Sequence, residues 1–354
     1  MFDRDAANGW LLQTYNDILE QRPGARVLWL CDENLIGLEQ RLPVPRVHSE
    51  FISNRFDIAR ALNQAGHQAT FSDFNPGSLS AGQFDVVIYR LSKEKALVHY
   101  LLNLCQQLLP PGGQLLIAGH KAEGAKNMLD KAAQQLGSSK QTRKFGQAYT
   151  AVISVAAAAL PPPLSDDNYP ELRPVTPGGK TPWLSKPGQF GWRKIDSGSA
   201  FLIDTLQTLS LPCPAHLIDL GCGYGYLAVS AASLYLTPPA LTLTDNNAAA
   251  LLSAAANVQQ NGLIAEIYPG DAGDTLTTAA DLLLCNPPFH QGFSLSSELT
   301  DRFLAAAARL TTRTGQALFV VNAFIPLEKK AQSHFRSVTT LAHNRAYKVL
   351  RLTH

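Results

Sequence analysis

Apolar residues in the second half of the chain fall into short unbroken runs. AHLIDL (215–220), ALTLTD (240–245), DLLLCN (281–286) and QALFVVNAF (316–324) each read as a strand buried on both faces. Between them, YLAVSAASLYL (226–236), NAAALLSAAANVQQNG (247–262) and SSELTDRFLAAAARL (296–310) have helical character, and Gly262 marks the end of the second. Strands alternating with helices predict a doubly wound α/β domain whose parallel sheet is covered on both sides.

The first half repeats this rhythm without the same special residues. ARVLWLCDENLIGLEQRL (25–42) stands where AHLIDLGCGYGYLAVSAA stands later, and the stretch from Phe84 to Gly124 parallels that from Ala280 to Lys330. The glycine cluster is missing after VLWLC, and YRLS replaces NPPF. Two related α/β domains are expected, with chemistry only in the second; two unrelated α/β domains are the alternative, since the architecture is common. Between them, Leu160 to Trp192 is rich in proline and glycine, which reads as a linker or irregular cover. The expected division is 1–159, a cover over 160–194, and a catalytic domain over 195–354.

Composition narrows the partners. The chain has 354 residues, 45% of them hydrophobic, enough for two cores, and a net charge of only +2, so any nucleic-acid surface must be local. Six Lys or Arg and no acid follow from Lys329 onward, and five basic residues against one acid lie between Glu171 and Lys194; solvated surface is the plain alternative for both. Five cysteines without a C-x-x-C pair suggest neither a disulfide framework nor a zinc site, and fit a reduced cytoplasm. No signal peptide or apolar run of about 18 residues is apparent, so membrane insertion is not expected.

Chemistry concentrates at predicted strand ends. Gly221, Gly223 and Gly225 lie between a strand and a helix, where the backbone must turn sharply or admit a ligand. Asp219 closes that strand and Asp245 closes the next, where a carboxylate can accept both hydroxyls of a ribose. Asp271 follows another strand and is placed to meet an adenine amino group. Gly223, Gly225 and Ala228 also satisfy G-x-G-x-x-A, so a dinucleotide is a competing ligand, and a mere tight turn a third reading. Several polar groups along one edge favour a site.

Asn286 is followed by two prolines and Phe289. The prolines send the chain out of the sheet on a stiff path. The Asn286 side-chain oxygen and the Pro287 carbonyl supply two acceptors, and Phe289 a flat face for a planar group. Two acceptors aimed at one spot suit an NH2 group, hold its nitrogen in line with an electrophile and stabilise the positive charge that grows on it. A proline-stiffened turn with an Asn cap is the plainer alternative.

DLGCGYG, the acid Asp245 and NPPF together resemble the class I S-adenosylmethionine methyltransferases that act on exocyclic or amide nitrogens. The extended NPPFHQGF, the worn first half and GQFGWRKIDSGSAFLIDTL are similar to the bacterial guanine-N2 methyltransferases of ribosomal RNA, most like their 16S branch by VVNAFIPLEKK and AYKVLRL, with the 23S branch as runner-up. The likeness is specific over Ile195 to Tyr347 and loose before Leu160. It implies two tandem Rossmann-like methyltransferase domains, the first degenerate and devoted to RNA binding or structure. It further implies S-adenosylmethionine held by Gly221, Gly223, Gly225, Asp219, Asp245, Asp271 and Asn286, with Asp196 in a segment folding over it. Asn286 and Pro287 would grip the guanine amine above Phe289. The implied partner is 16S rRNA of the small ribosomal subunit, with no metal and a monomeric chain. Glutamine-N5 methylation of a protein, nicotinamide-dependent oxidoreduction and a non-catalytic RNA-binding role are the competing readings. His290 has no assigned role.

Overall fold

The computed structural model describes residues 5–45, 48–77, 79–138, 142–175, 182–288 and 293–354. The chain forms two compact units, Met1–Glu171 and Leu172–His354. Residues 160–194 are therefore divided between the units: Leu160 and Leu164 pack on the first unit's core, where Tyr169 is fully buried, and Trp183 packs on the second's.

In the first unit the strands are β1 (Val27–Cys31), β2 (Ser49–Ser53), β3 (Gln68–Phe71), β4 (Val86–Arg90), β5 (Gln114–His120), β6 (Arg143–Phe145) and β7 (Ala148–Ser154). They form one sheet in the order β3-β2-β1-β4-β5-β7-β6. The first five are mutually parallel, and β7 runs antiparallel to both β5 and β6. Helices α1 (Ala6–Gln21) and α2 (Phe56–Gln64) cover one face, α3 (Lys95–Leu108) and α4 (Ala125–Gln135) the other. Along β1 the side chains alternate between the two cores, Leu28 and Leu30 to one and Val27, Trp29 and Cys31 to the other. That two-sided burial is why the run is apolar throughout.

The second unit opens with a two-stranded ribbon, β8 (Arg173–Pro174) and β9 (Leu184–Ser185), and α5 (Ser197–Leu209). Its main sheet contains β10 (His216–Leu220), β11 (Ala240–Asp245), β12 (Ala265–Pro269), β13 (Ala280–Cys285), β14 (Thr311–Asn322), β15 (Ser337–His343) and β16 (Tyr347–Thr353), in the order β12-β11-β10-β13-β14-β16-β15. This repeats the first sheet strand for strand. The helices α6 (Tyr226–Ala232) and α7 (Ala248–Gln260) lie with α5 on one face; α8 (Phe293–Leu310) and the short α9 (Leu327–Ala331) lie on the other. The order reverses between β10 and β13, which opens the crevice used for ligands in this architecture.

Three sequence expectations need adjusting. The sheet is mixed, because an antiparallel hairpin closes one edge of each unit. Helix α6 stops at Ala232, where the Ser233 hydroxyl donates back to the Val229 carbonyl and tighter turns follow. Strand β14 ends at Asn322, so Ala323 and Phe324, read as strand, turn away and leave Phe324 79% exposed.

The first unit's equivalent edge is filled by charge. Arg90, at the end of β4, is 1% exposed and pairs with Asp5 at 2.9 Å and Glu123 at 2.7 Å. Asp32, directly after β1, is also buried, and burial together with Glu33 pushes its carboxyl well up. No glycine loop follows β1; a short 3-10 turn over Glu33–Leu35 takes its place. No helix among the described residues is long and apolar enough to cross a membrane.

Candidate active site

Register fixes the centre of the site. Leu220 of β10 pairs with Thr244 of β11 on one side and Cys285 of β13 on the other. Gly221 therefore leaves the sheet between Asp245 and Asn286. Gly221, Gly223 and Gly225 have φ of +77°, +53° and +81°, a region that side chains strain to enter. A Cβ on Gly225 would lie 3.2 Å from Leu243 and 3.4 Å from Ala254, so this glycine lets α6 approach β11 and α7. A Cβ on Gly223 would meet nothing within 4 Å, so its open side can face a ligand.

Asp245 ties the loop to the neighbouring strand. One of its oxygens accepts from Gly223 N–H at 2.9 Å and the other from Asn247 N–H at 2.9 Å. The carboxylate remains half-buried at the end of β11. Asn247 caps α7 through Ala249 and Ala250, and its amide donates to the Gly188 carbonyl at 2.8 Å. Asn257 of the same helix binds both Leu184 N–H and Leu184 C=O, and also the Tyr224 carbonyl, all at 2.8 Å. Helix α7 thus fastens the 184–188 segment beside the glycine loop.

Asp219 and Asp271 lie at different depths beside the loop. Asp219 was expected at the cofactor; it lies wholly buried behind the loop and accepts from Ala228 N–H at 2.9 Å. Its other oxygen has no partner among the described residues. Burial, opposed by the Ala228 bond and reinforced by the charge of Asp245, pushes its carboxyl up to about 7. Asp271, only 9% exposed, ion-pairs with Arg302 of α8, while its own N–H donates to Asp274 at 2.9 Å. Arg309 holds the same loop by donating to the Gly273 carbonyl at 2.8 Å.

Asn286 is half-buried at the end of β13, followed by the buried Pro287. Its amide nitrogen donates to Asp196 at 2.8 Å and to the Ser199 hydroxyl at 2.9 Å. Asp196 is the N-cap of α5, and the same carboxylate oxygen accepts from Ser199 N–H at 2.8 Å. The sequence reading had put Asp196 and Asn286 at one site but had not connected them. Phe289 and His290 lie outside the described residues.

Ser199, Asn247, Asn257 and Arg302 were not singled out from sequence. Asn247 carried a legible signal, an Asn directly before an apolar helical run. The others act across long chain separations that no local pattern displays. The basic tail is partly neutralised: Lys330 pairs with Asp301 at 3.1 Å and Lys348 with Glu328 at 2.7 Å.

The donor set fits S-adenosylmethionine. A half-buried carboxylate at the end of β11 and an open glycine at the loop crest suit a ligand with hydroxyls. Among the described residues no group of His, Cys, Asp and Glu could hold a metal ion.

Comparison with known proteins agrees with this geometry. Residues 180–351 match the family described as methyltransferase small domain, and residues 26–159 its N-terminal counterpart. A ribosomal RNA small subunit methyltransferase C from Shewanella oneidensis is 30% identical over 275 residues, covering 75% of this chain and 76% of its own. The protein of the same description from Shewanella halifaxensis is 32% identical over 271 residues, with 75% and 76% covered. A T. thermophilus 16S rRNA N2 methyltransferase, solved with AdoMet and guanosine, superposes with a TM-score of 0.78 over 95% of this chain and 91% of that one, at 24% identity, a likeness of fold. A chain with both methyltransferase units in tandem, and 30% or more identity to such relatives over three quarters of its length, belongs to the ribosomal RNA small subunit methyltransferase C family.

Proposed function

We propose that the chain methylates the exocyclic N2 amine of a guanine in 16S rRNA, using S-adenosylmethionine. The observation that carries this reading is the state of Asn286: both bonds from its amide nitrogen are committed to Asp196 and Ser199, which leaves its oxygen as an acceptor without a partner among the described residues. An acceptor at the strand end flanking the glycine loop suits an amine substrate.

When bound, S-adenosylmethionine supplies a methyl group made electrophilic by its sulfonium. Asp245 would receive the ribose hydroxyls, the open face at Gly223 the methionine end, and the Asp271 oxygen left by Arg302 the adenine amine. Asp219 would brace the loop from behind. The Asn286 oxygen and the Pro287 carbonyl would accept the two hydrogens of the guanine amine, directing its lone pair and stabilising the positive charge formed during transfer. The extra proton on the methylated amine would pass to water, since that cation is strongly acidic.

A guanine inside a helix must leave its stack to reach this edge. The rim offers a place for neighbouring nucleotides. Strand β14 runs three residues past Phe319, the partner of Cys285, before Ala323 and Phe324 turn outward. Ala323 N–H donates to the Ala346 carbonyl at 2.8 Å, so the chain neighbours of this bond, the exposed Phe324 and the exposed Arg345, lie at the same rim. An exposed aromatic and an exposed guanidinium at one rim suit single-stranded RNA.

Nucleoside mass spectrometry of 16S and 23S rRNA from cells lacking the protein tests the reading. Loss of N2-methylguanine from 16S rRNA is expected; loss only from 23S rRNA, or no loss from either, overturns it. With purified protein, Asn286→Ala should lower the rate by roughly 10²-fold or more and leave cofactor affinity nearly intact.

A further inference from the structure

An Asn side chain presents two donors at one end and an acceptor at the other, and a half-turn about its last bond exchanges them. A pocket for an amine works only if the oxygen faces the substrate. The wrong orientation would present donors to donors.

At Asn286 the choice is made by the N-terminus of α5. The Asp196 carboxylate accepts from the Asn286 amide nitrogen at 2.8 Å, and the Ser199 hydroxyl does so at 2.9 Å. A carboxylate has no hydrogen to give, so turning the amide over would set the Asn286 oxygen against a negative oxygen and lose a charge-assisted bond. Such a bond corresponds to on the order of ten- to a hundredfold in population.

The bracket holding Asp196 is itself tightly built. Its oxygen also caps α5 through Ser199 N–H at 2.8 Å. Gly198 sits so close that a Cβ there would lie 3.0 Å from the Asp196 oxygen and 3.0 Å from the Tyr347 ring. Ser197 bonds the Tyr347 hydroxyl at 2.8 Å, tying the turn to β16. The other end of α5 is anchored by the fully buried Leu202 and Leu206. Each residue of the Asp-Ser-Gly-Ser stretch over 196–199 thus serves one purpose, a fixed carboxylate and hydroxyl facing Asn286.

We propose that Asp196, assisted by Ser199, is a positioning residue that locks the Asn286 amide with its oxygen toward the substrate and so selects amino groups over carbonyls. This rests on the reading that Asn286 grips the guanine amine. It differs from a role for Asp196 as a cofactor ligand, which would act without Asn286.

The test is a double-mutant cycle on the full-length enzyme, with kcat and KM measured for 30S subunits carrying unmethylated 16S rRNA, and S-adenosylmethionine binding measured by calorimetry. Asp196→Ser keeps a helix cap but is too short to reach Asn286; Asp196→Asn keeps both the cap and an acceptor. Asp196→Ser should lower kcat about 10- to 100-fold with cofactor affinity held within about threefold, and Asp196→Asn should recover most of that loss. In an Asn286→Ala background, Asp196→Ser should cause no further loss. Additive losses, a weakened cofactor Kd that saturation repairs, or equal defects in the Ser and Asn variants would each overturn the proposal. Should Asp196→Ser fail to fold, Ser199→Ala serves the same cycle: a severalfold loss absent from the Asn286→Ala background supports the lock, and an additive loss overturns it. An Asn286→Ala enzyme of undiminished rate would refute the parent reading instead.

Discussion

The N–H of Gly223 points at Asp245 across 2.9 Å, so the crest of one loop and the tip of the next strand form a single unit. Asp245 therefore has two duties, shaping the loop and meeting the ligand. Asp245→Ala should abolish measurable cofactor binding. Gly223→Ala should weaken it at least tenfold by filling the open side, while costing only about 1 kcal/mol of stability for its positive φ. Gly225→Ala should instead destabilise the unit by roughly 2–3 kcal/mol, because its Cβ is pressed between Leu243 and Ala254. Calorimetric titration beside denaturant unfolding separates the three.

Asp219 gives the second unit a pH-dependent stability. Its carboxyl titrates near 3.8 in an unfolded chain and is pushed up to about 7 in the fold by burial. Between those values the native state keeps a proton that the unfolded chain has released. The contribution is fully present below pH ~4, falls by roughly 2–4 kcal/mol as pH rises to about 7, and is flat above. Asp219→Asn, which can still accept from Ala228 N–H, should flatten that slope in unfolding curves of the ligand-free protein. An unchanged slope would locate the titration elsewhere.

On the proposed function, Phe324 would bear on RNA and not on the cofactor. Phe324→Ala should raise KM for the ribosomal substrate about tenfold, in keeping with the loss of one stacked base, and leave cofactor affinity unchanged. Arg345→Gln should lower affinity and reduce its salt dependence by about one counterion. Equal steady-state constants for Phe324→Ala and the parent enzyme would remove this rim from the binding surface.

Much of this was legible in the sequence. Apolar runs such as Leu282–Leu284 declared the two-sided burial of their strands, and the glycines at 221, 223 and 225 all have the positive φ that their spacing implies. The closing hairpins were not read, because β15 is a half-exposed edge whose apolar positions are sparse. The depth of Asp219 was hidden for another reason: alternation puts it on the same sheet face as the buried Leu217, and sequence alone does not show that this face is covered as far as the strand's end. The bonds from Asn286 to Asp196 and from Asp271 to Arg302 join elements far apart in the chain, and only the folded sheet brings them together.

The charged plug in the first unit has a consequence for how this molecule can change. Arg90 is held by two acids at a position where the second unit carries its working strand end. Removing Arg90 leaves the Asp5 and Glu123 carboxylates without their shared cation, at a cost of about 3–5 kcal/mol, against a typical total stability of about 5–15 kcal/mol for a domain. A path from that edge to a second ligand pocket that begins by replacing Arg90 therefore starts with a large loss of stability. The guanidinium that fills this edge is kept in place by the chain's own need to stay folded.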